Sequence, residues 1–510
     1  MSGTQPVWPP PPPPGWPFVR PVPPPAPLFG DRWPGPSMPP SGTLLGVVAA
    51  AGVATAAAVP EGRPGLGWLV TALAITAAAL ALGWHTRRSP PPAPAALIGA
   101  AWTVAAVGLS AVSAVRDAPW LVTLGLLTAC LAGSLAVVGR SFRGVVAGAL
   151  AVPVAAVRGL PWVGRCLLAA RRGGGGAALR VAVAGSVGLG LIVVFGALLA
   201  SADPAFARVL DELMPAVDGS WVRSAVLFGL GGWAVVGAGF LLVAPPAPPG
   251  PPEVRPPRLR GLEWTLPAAL LVLLFALFVG VQFVTLFGAD SYVLRTTGLT
   301  YAEYARGGFW ELLTVTVLTL GVIVLGSRWA PQQGLLQRAW KRGLLGALAC
   351  LTLVIVASAL SRMWLYQQAY GFTVLRLLVL TCELWLGAGF LVVIVAVLRL
   401  RPGSPAPGMV AAGVLALVAL AVLDPERFVA ERNVARFEET GRIDTLYLST
   451  LSADAVPALV RLPEAERWCS LAGMRATPDD DWRSWNASRT AARAALATVP
   501  SGPCGETRTR

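Results

Sequence analysis

Long apolar stretches separated by short polar loops constrain this chain more than any other feature of its sequence. A membrane-crossing helix needs about 20 mainly apolar residues, and roughly 17 to 25 are tolerated. Eleven stretches suit such helices, with the first and last at the short end of the range: 43–59, 66–84, 95–115, 118–138, 179–200, 221–244, 264–287, 309–326, 343–361, 373–398 and 408–423. Only 13% of the residues are charged, whereas soluble domains are about 25% charged. We therefore predict an all-α, polytopic membrane protein with about 11 transmembrane helices.

One further apolar stretch, 144–157, bears on this count. It is shorter than a span and contains Pro153, so we interpret it as interfacial or re-entrant. One additional crossing here would reverse the orientation of every later span, so the predicted topology depends on this stretch.

The apolar stretches divide the chain into five predicted parts. Residues 1–42 are rich in proline, which favours extended polyproline conformations and buries no core, so we predict a disordered cytoplasmic tail. Four helices follow in 43–138, then a basic cytoplasmic loop in 139–178 and seven helices in 179–423. Residues 424–510, called the C-terminal segment below, are predicted to form short extracytoplasmic helices.

The distribution of basic residues predicts the orientation. One set of alternate loops contains 19 arginine and lysine residues, and the other set contains 6. Cytoplasmic loops carry the excess of positive charge, so the N-terminus is predicted to be cytoplasmic and the C-terminus extracytoplasmic, in a multi-pass protein of the plasma membrane. The net charge of +14 comes from arginines scattered between spans. That pattern suits a topology signal and excludes nucleic acid as the expected partner.

The sequence lacks the motifs of most catalytic and metal sites. It has a single histidine, His85, and no CxxC pair, P-loop or HExxH motif. We therefore expect no catalytic residue, no metal site and no cofactor. The C-terminal segment has two cysteines, Cys469 and Cys504. An even number suits a disulfide in an oxidising compartment, but two free thiols remain an equal alternative.

Ionisable residues inside the apolar stretches are the candidates for function, because an unpaired charge in hydrocarbon is costly. Glu383 lies near the middle of the tenth stretch, and Arg376 lies about 10 Å from it along the helix axis. Glu311 is just inside the eighth stretch, while Arg223 and Arg362 mark the outer ends of the sixth and ninth. These residues suit either a polar cavity open to the outside, with Glu383 at its floor, or a structural ion pair with arginines that reach the interface.

The C-terminal segment begins with a strong helix pattern. Asp424 and Pro425 predict a helix start, and Gly441 predicts its end, so 425–440 is expected to be one helix. One narrow, mixed face suits docking on a partner surface better than forming a core alone, and it consists of Val429, Asn433, Arg436 and Phe437.

Further helix starts follow in the same segment. Asp444 and Asp454 are predicted to cap a second and a third short helix, and a fourth is predicted to begin near Thr477. We expect these helices to pack against the outer loops of the bundle and to offer a site for a protein partner. The other expected partner is the lipid bilayer that surrounds the spans.

Four stretches resemble a known family: SADPAFARVL, GLTYAEYARGGFWELL, RMWLYQQAYGFTVLRL and AERNVARFEETGRIDTLYLSTLSADAVP. In this order they are similar to a family of polytopic membrane proteins that is common in actinobacteria and known only as a domain of unknown function. The resemblance covers roughly residues 180–470. It implies a membrane fold, but it assigns no activity and no catalytic residue.

These observations favour a non-enzymatic membrane protein: a scaffold, a sensor or an accessory subunit. One alternative is a transporter of a small solute or ion that uses the buried Glu383. A second alternative is an extracytoplasmic glycosyl- or lipid-modifying enzyme, suggested by the acidic pair Asp211–Glu212. Against it, the first outer loop, 60–65, leaves little room for a catalytic site.

Overall fold

The computed structural model describes most of the predicted membrane part and of the C-terminal segment. The described residues are 42–86, 92–138, 145–172, 220–245, 261–287, 309–330, 334–399, 406–472 and 481–499, with isolated positions at 36, 195, 196, 199, 203, 205, 206, 208, 209 and 474. All regular secondary structure in these residues is helical. The predicted tail, 1–42, lies outside them except for its last residue and position 36.

The described helices follow the apolar stretches closely. In chain order they are α1 (Gly42–Ala58), α2 (Leu66–Thr86), α3 (Ala93–Val115), α4 (Pro119–Val138), α5 (Val145–Ala149), α6 (Ala151–Arg172), α7 (Ser220–Val243), α8 (Gly261–Phe287), α9 (Phe309–Trp329), α10 (Leu335–Tyr370), α11 (Val374–Arg399) and α12 (Ala406–Leu423). The C-terminal segment adds α13 (Pro425–Thr440), α14 (Thr445–Leu448), a 3-10 turn (Ala453–Ala455), α15 (Val456–Leu459), α16 (Glu464–Ser470) and α17 (Ala487–Ala497).

Eight of the helices in the described ranges are long and apolar enough to cross a membrane, namely α2, α3, α4, α7, α8, α10, α11 and α12. Shorter apolar helices occur within α1 and α9. The predicted all-α membrane fold is therefore confirmed. The total of eleven spans stays a prediction, because the stretch 179–200 lies almost wholly outside the described residues.

The membrane helices pack in two groups. In the first, α1 packs against α2 and α7, α3 pairs with α4, and α6 lies along α7. In the second, α8, α9 and α11 pack around α10. Helix α12 contacts α11 on one side and the α3–α4 pair on the other, so it joins the two groups.

From residue 145 onward, the apolar stretch 144–157 forms α5 and the start of α6. The side chain of Ser134 on α4 holds their junction, because its hydroxyl donates to the Gly148 carbonyl (2.8 Å) and accepts from the Val152 N–H (3.0 Å). Much of the predicted basic loop, 139–178, is thus helical. Helix α6 is not among the candidate spans, and the prediction that this stretch does not cross the membrane stays a prediction.

Helix α10 is much longer than its predicted span, 343–361. Its 36 residues extend over about 54 Å at 1.5 Å per residue, whereas the hydrocarbon core is about 30 Å thick. The helix continues through the polar residues that precede the apolar stretch. One of them, Lys341, has a partner there, because its ammonium group donates to the Ser327 carbonyl on α9 at 2.7 Å. At least one end of α10 therefore projects beyond the hydrocarbon or the helix tilts strongly.

Three interhelical loops meet the C-terminal segment at one end of the bundle. The Leu66 N–H after the α1–α2 loop donates to the Trp485 carbonyl (2.9 Å), and the Asp117 N–H in the α3–α4 loop donates to Asp454 (2.9 Å). In the α10–α11 loop, the Phe372 N–H donates to Asn433 (3.1 Å). All three are predicted outer loops, so this arrangement agrees with the predicted alternation of sides.

Candidate functional site

Glu383 is a deeply buried carboxyl group inside α11. Its side chain lies on the face of α11 that carries the buried Leu386 and Phe390, and the residue is 3% exposed. Its Oε2 atom has no hydrogen-bond partner among the described residues. A carboxyl group in such surroundings is costly to ionise and is a common mark of an ion or proton site in membrane proteins.

A polar network on α8 and α10 lies at about the depth of Glu383. The Arg362 guanidinium donates to Gln282 Oε1 at 2.6 Å, and the Ser358 hydroxyl lies 3.3 Å from the same atom. Gly387 on α11 faces Val356 on α10, so in this antiparallel pair Glu383, one turn away, is level with residues 358–362. Arg362 on a neighbouring helix is therefore near Glu383 in depth, but no ion pair within 4.0 Å joins Glu383 to a described residue.

The other three polar candidates do not share a site with Glu383. Arg376 donates to the Gly371 carbonyl (2.6 Å), and its guanidinium lies 4.6 Å from the centre of the Tyr366 ring. Arg223 on α7 donates to the Val59 and Pro60 carbonyls of the α1–α2 loop. The two arginines therefore hold loops at the end of the bundle.

Glu311 is exposed in the first turn of α9. A carboxylate there interacts favourably with the helix dipole, which explains the residue without a functional role. The described side chains thus do not bring all five polar residues into one site, and the choice between a cavity and a structural role stays open.

The cysteine prediction is tested in part. Cys469, at the buried face of α16, is disulfide-bonded. Cys130, Cys350 and Cys382 are free. The pairing of Cys469 with Cys504 stays a prediction, because Cys504 lies outside the described residues.

The predicted helix 425–440 is confirmed as α13, and its predicted docking face makes contacts within this chain, so docking on a partner stays a prediction. Gly441 ends the helix in the left-handed conformation (φ 66°). Asn433 makes a pair of hydrogen bonds with the Phe372 backbone, accepting from its N–H (3.1 Å) and donating to its carbonyl (2.8 Å). Arg436 donates to the Ala369 carbonyl (2.8 Å), and Val429 is fully buried. The face therefore docks on the α10–α11 loop of the same chain.

The predicted caps of the following helices have mixed outcomes. Asp444 caps α14 as predicted, accepting from the Tyr447 N–H at 2.9 Å. The prediction for Asp454 was wrong, because Ser452 caps the 3-10 turn while the Asp454 carboxylate accepts from the N–H groups of Asp117 and Ala118. Asp454 thus binds two N–H groups of the α3–α4 loop, more than 330 residues away. The predicted start at Thr477 lies outside the described residues.

A buried group of charged residues joins the C-terminal segment to the bundle; we call it the docking cluster, and it consists of Arg116, Asp117, Asp424, Glu426, Asp454 and Arg489. Arg489 is fully buried and pairs with Asp117 at 2.5 Å. It also donates to the carbonyls of Pro64 and Ser484. One guanidinium therefore ties α17 to both the α1–α2 and the α3–α4 loops.

Arg116 makes the second ion pair of the docking cluster. Its guanidinium lies 2.6 Å from Asp424 and also donates to the Ala421 and Val422 carbonyls at the end of α12. Asp424 has a positive φ of 58°, and its side chain does not make a helix-capping hydrogen bond. The predicted helix start is thus correct in position, but the carboxylate serves the ion pair instead of a cap.

Burial sets the protonation behaviour of the docking cluster. It raises the pKa of Asp424 to about 6, helped by the nearby Asp454 charge and opposed by Arg116. Burial also raises the pKa of Asp117 and of Glu426 above their ordinary values. Four carboxyl groups share this site with two guanidinium groups, so full ionisation leaves an excess of negative charge.

Sequence reasoning did not identify the docking cluster. Arg116 and Asp117 sit in a loop of three residues between two spans, and Arg489 lies in a helix that was not predicted. Asn486 caps that helix and donates to the Ser113 and Arg116 carbonyls. One sequence signal was available for this part of the cluster: Asp117 shortly before Pro119 is a helix-start pattern, and Arg116 precedes it directly.

The comparison with protein families identifies the chain. A family model described as Domain of unknown function (DUF4153) matches residues 103–462. The chain belongs to the DUF4153 family. The match begins in α3, well before the resemblance predicted from the four motifs, and it includes the Arg116–Asp424 pair but not Arg489. Neither the curated proteins nor the solved structures contain a match. Among the described residues of this DUF4153 protein, no cluster of side chains suits a metal ion.

Proposed function

We propose that this DUF4153 protein is a non-enzymatic scaffold, sensor or accessory subunit that holds its C-terminal segment as a platform against the outer end of a membrane bundle. The docking cluster carries the proposal. Each of its four carboxyl groups bonds to a guanidinium, an indole or a backbone N–H of another element. The acidic residues therefore hold the segment on the α3–α4 loop and the start of α4.

The face of α13 that points away from the bundle is the proposed surface for a protein partner. Glu431 and Glu438 lie about 180 to 200° around the helix from the buried Val429, at about 100° per residue. Glu438 is exposed. Glu431 pairs with Arg427 at 3.0 Å and reaches Arg461 at 4.0 Å. Exposed pairs of this kind add little stability, so their charges are free to serve recognition.

We place this platform outside the plasma membrane, with the N-terminus in the cytoplasm. The excess of arginine in the opposite loops supports that orientation. The disulfide bond of Cys469 supports it as well, since disulfides persist in oxidising compartments.

Complementation of a strain that lacks the gene tests this function. We expect the Glu431→Lys/Glu438→Lys variant to reach the membrane in normal amounts but not to restore the wild-type phenotype, because the charge of the outer face is reversed. Glu383→Gln is the matched control inside the bundle and is expected to restore it. Full complementation by the double variant contradicts the proposal, whatever the control shows.

Transport of a small ion or solute is the second candidate, and the unpaired Oε2 of the buried Glu383 favours it. A buried carboxyl group that binds and releases a proton or cation needs no catalytic constellation. Flux into vesicles that contain the purified protein tests this candidate. Equal flux through the parent and through Glu383→Gln, over a panel of ions and small solutes, contradicts it.

A further inference from the structure

Two tryptophans of the C-terminal segment are exposed beside the ends of membrane-crossing helices. Trp482 is 53% exposed and Trp485 is 42% exposed. Both lie in the turn 481–486 that leads into α17. Two large aromatic side chains left in water would forfeit most of the free energy that their burial supplies, so neighbouring exposed tryptophans mark a contact surface.

Backbone contacts fix this turn to the first residues of α2. The Leu66 N–H donates to the Trp485 carbonyl (2.9 Å), and the Gly67 N–H donates to the Arg483 carbonyl (2.8 Å). A Cβ atom at Gly65 would lie 2.3 Å from the Ser484 carbonyl carbon, so the two backbones are in direct contact. The tryptophans therefore sit within one turn of the start of a candidate span, Leu66–His85.

The neighbouring span ends at the same level. The Ser488 hydroxyl donates to the Val115 carbonyl (3.0 Å) at the end of α3, which is also a candidate span. Val115 is 44% exposed, and other exposed apolar side chains of α3 are Leu97 and Val104. The tryptophans thus lie beside the ends of two candidate spans, where apolar helix gives way to polar loop.

The charges around the tryptophans also suit the region of the lipid headgroups. The Arg483 guanidinium lies 5.8 Å from the centre of the Trp482 ring, and Arg63 is exposed in the adjoining α1–α2 loop. Tryptophan is enriched at the membrane–water interface, and arginine beside it binds phosphate oxygens.

We propose that Trp482 and Trp485 insert into the interfacial layer of phospholipid around α2 and α3, so that the C-terminal segment is bound to the bilayer as well as to the bundle. The segment then has two surfaces: one edge in the lipid headgroups, and the outer face of α13 toward water. This inference is independent of the proposed partner of α13, because it rests only on contacts between 481–488 and the ends of α2 and α3.

Site-specific photocrosslinking in phospholipid nanodiscs tests the proposal with the full-length protein. Benzoylphenylalanine replaces Trp482 or Trp485 in turn and preserves the aromatic bulk, and the same residue at Glu438 is the control on the outer face of α13. We expect lipid adducts at positions 482 and 485 by mass spectrometry and none at 438. Adduct yields at 482 and 485 as low as at 438 overturn the proposal.

A second measurement avoids any effect of the photoreactive residue on folding. Brominated phosphatidylcholine quenches tryptophan fluorescence on contact. We expect the Trp482→Phe/Trp485→Phe variant to lose part of the quenching that the parent shows. Equal quenching of the parent and the double variant, or protein adducts in place of lipid adducts in native membranes, contradicts the lipid contact.

Discussion

At the scale of single residues, the charged side chains of this protein take their roles from partners that are remote in sequence. Arg116 and Asp424 are separated by 308 residues, and Arg489 and Asp117 by 372. Both pairs are largely withdrawn from solvent. Removing one partner of a buried pair leaves an uncompensated charge, so such residues respond strongly to substitution.

The first prediction concerns the fully buried Arg489. Arg489→Met removes the partner of Asp117 and leaves that carboxylate buried, so we expect a loss of about 3 to 5 kcal/mol in the stability of the docked segment. Hydrogen exchange of residues 425–499 in detergent or nanodiscs measures it. Arg427→Met, which removes only an exposed pair, is the control, and its expected effect is below about 1 kcal/mol. Equal exchange in the two variants would refute the role assigned to Arg489.

The second prediction concerns pH. The pKa of Asp424 is raised from 3.8 to about 6 in the folded protein, so between these values the folded state binds more protons than the unfolded state. Stability therefore falls as pH rises through this window, by up to about 3 kcal/mol for this group. Asp117 and Glu426 act in the same direction, because burial raises the pKa of each.

The measurement is hydrogen exchange or protease resistance of the segment at pH 5.5 and at pH 7.5. We expect tighter docking at the lower pH. Asp424→Asn cannot ionise, so its pH dependence should be smaller than that of the parent, even though its absolute stability also changes. An unchanged slope in this variant would show that Asp424 does not supply the effect.

At the scale of elements, local patterns predicted the helices well and their caps less well. The helix 425–440, its end at Gly441 and the cap at Asp444 follow from short-range preferences that hold in the folded protein. Asp454 fits the same pattern, but tertiary contacts place two unpaired N–H groups of the α3–α4 loop beside its carboxylate. The Asp454 carboxylate binds these remote N–H groups and not its own helix, because buried N–H groups without a partner are costly.

The third prediction compares two glycines with positive φ at the ends of helices. Gly371 has φ 86°, and a Cβ atom there would lie 2.8 Å from Asn433 Oδ1, whereas Gly441 has φ 66° and open space around it. We expect Gly371→Ala to cost about 1 to 3 kcal/mol from the backbone alone and to weaken the Asn433–Phe372 contact as well.

Gly441→Ala is the control, with an expected cost of about 1 to 2 kcal/mol and an undisturbed docking face. Thermal unfolding gives the stability, and hydrogen exchange at Phe372 reports the contact. Faster exchange at Phe372 in Gly441→Ala than in Gly371→Ala would contradict the assignment.

At the scale of the whole molecule, the C-terminal segment joins parts that the chain order separates. The segment contacts the α1–α2 and α3–α4 loops of the first helix group and the α10–α11 loop of the second. A buried apolar core accompanies these polar contacts and contains side chains of α4, α11, α12 and the segment itself. The segment therefore stabilises the arrangement of the two groups at their common end.

The fourth prediction tests sidedness with single cysteines. Arg63→Cys in the α1–α2 loop and Glu438→Cys on α13 are both exposed and lie at the same end of the bundle. We expect a membrane-impermeant maleimide to label both in intact cells. Leu335→Cys, at the opposite end of α10 and 85% exposed, should be labelled only after permeabilisation. Labelling of Arg63→Cys and Glu438→Cys from opposite sides would exclude the arrangement.

The sequence by itself determined the class of the protein: its apolar stretches require membrane helices, because hydrocarbon accepts only backbones that satisfy their own hydrogen bonds. It also placed Glu383 in the bundle and α13 at its end, since both follow from composition and local periodicity. Only the tertiary structure decided which charges meet. Arg489 and Asp117 carry no local signal for each other, because an ion pair depends on distance in space and these residues are brought together solely by the packing of α17 on the α3–α4 loop.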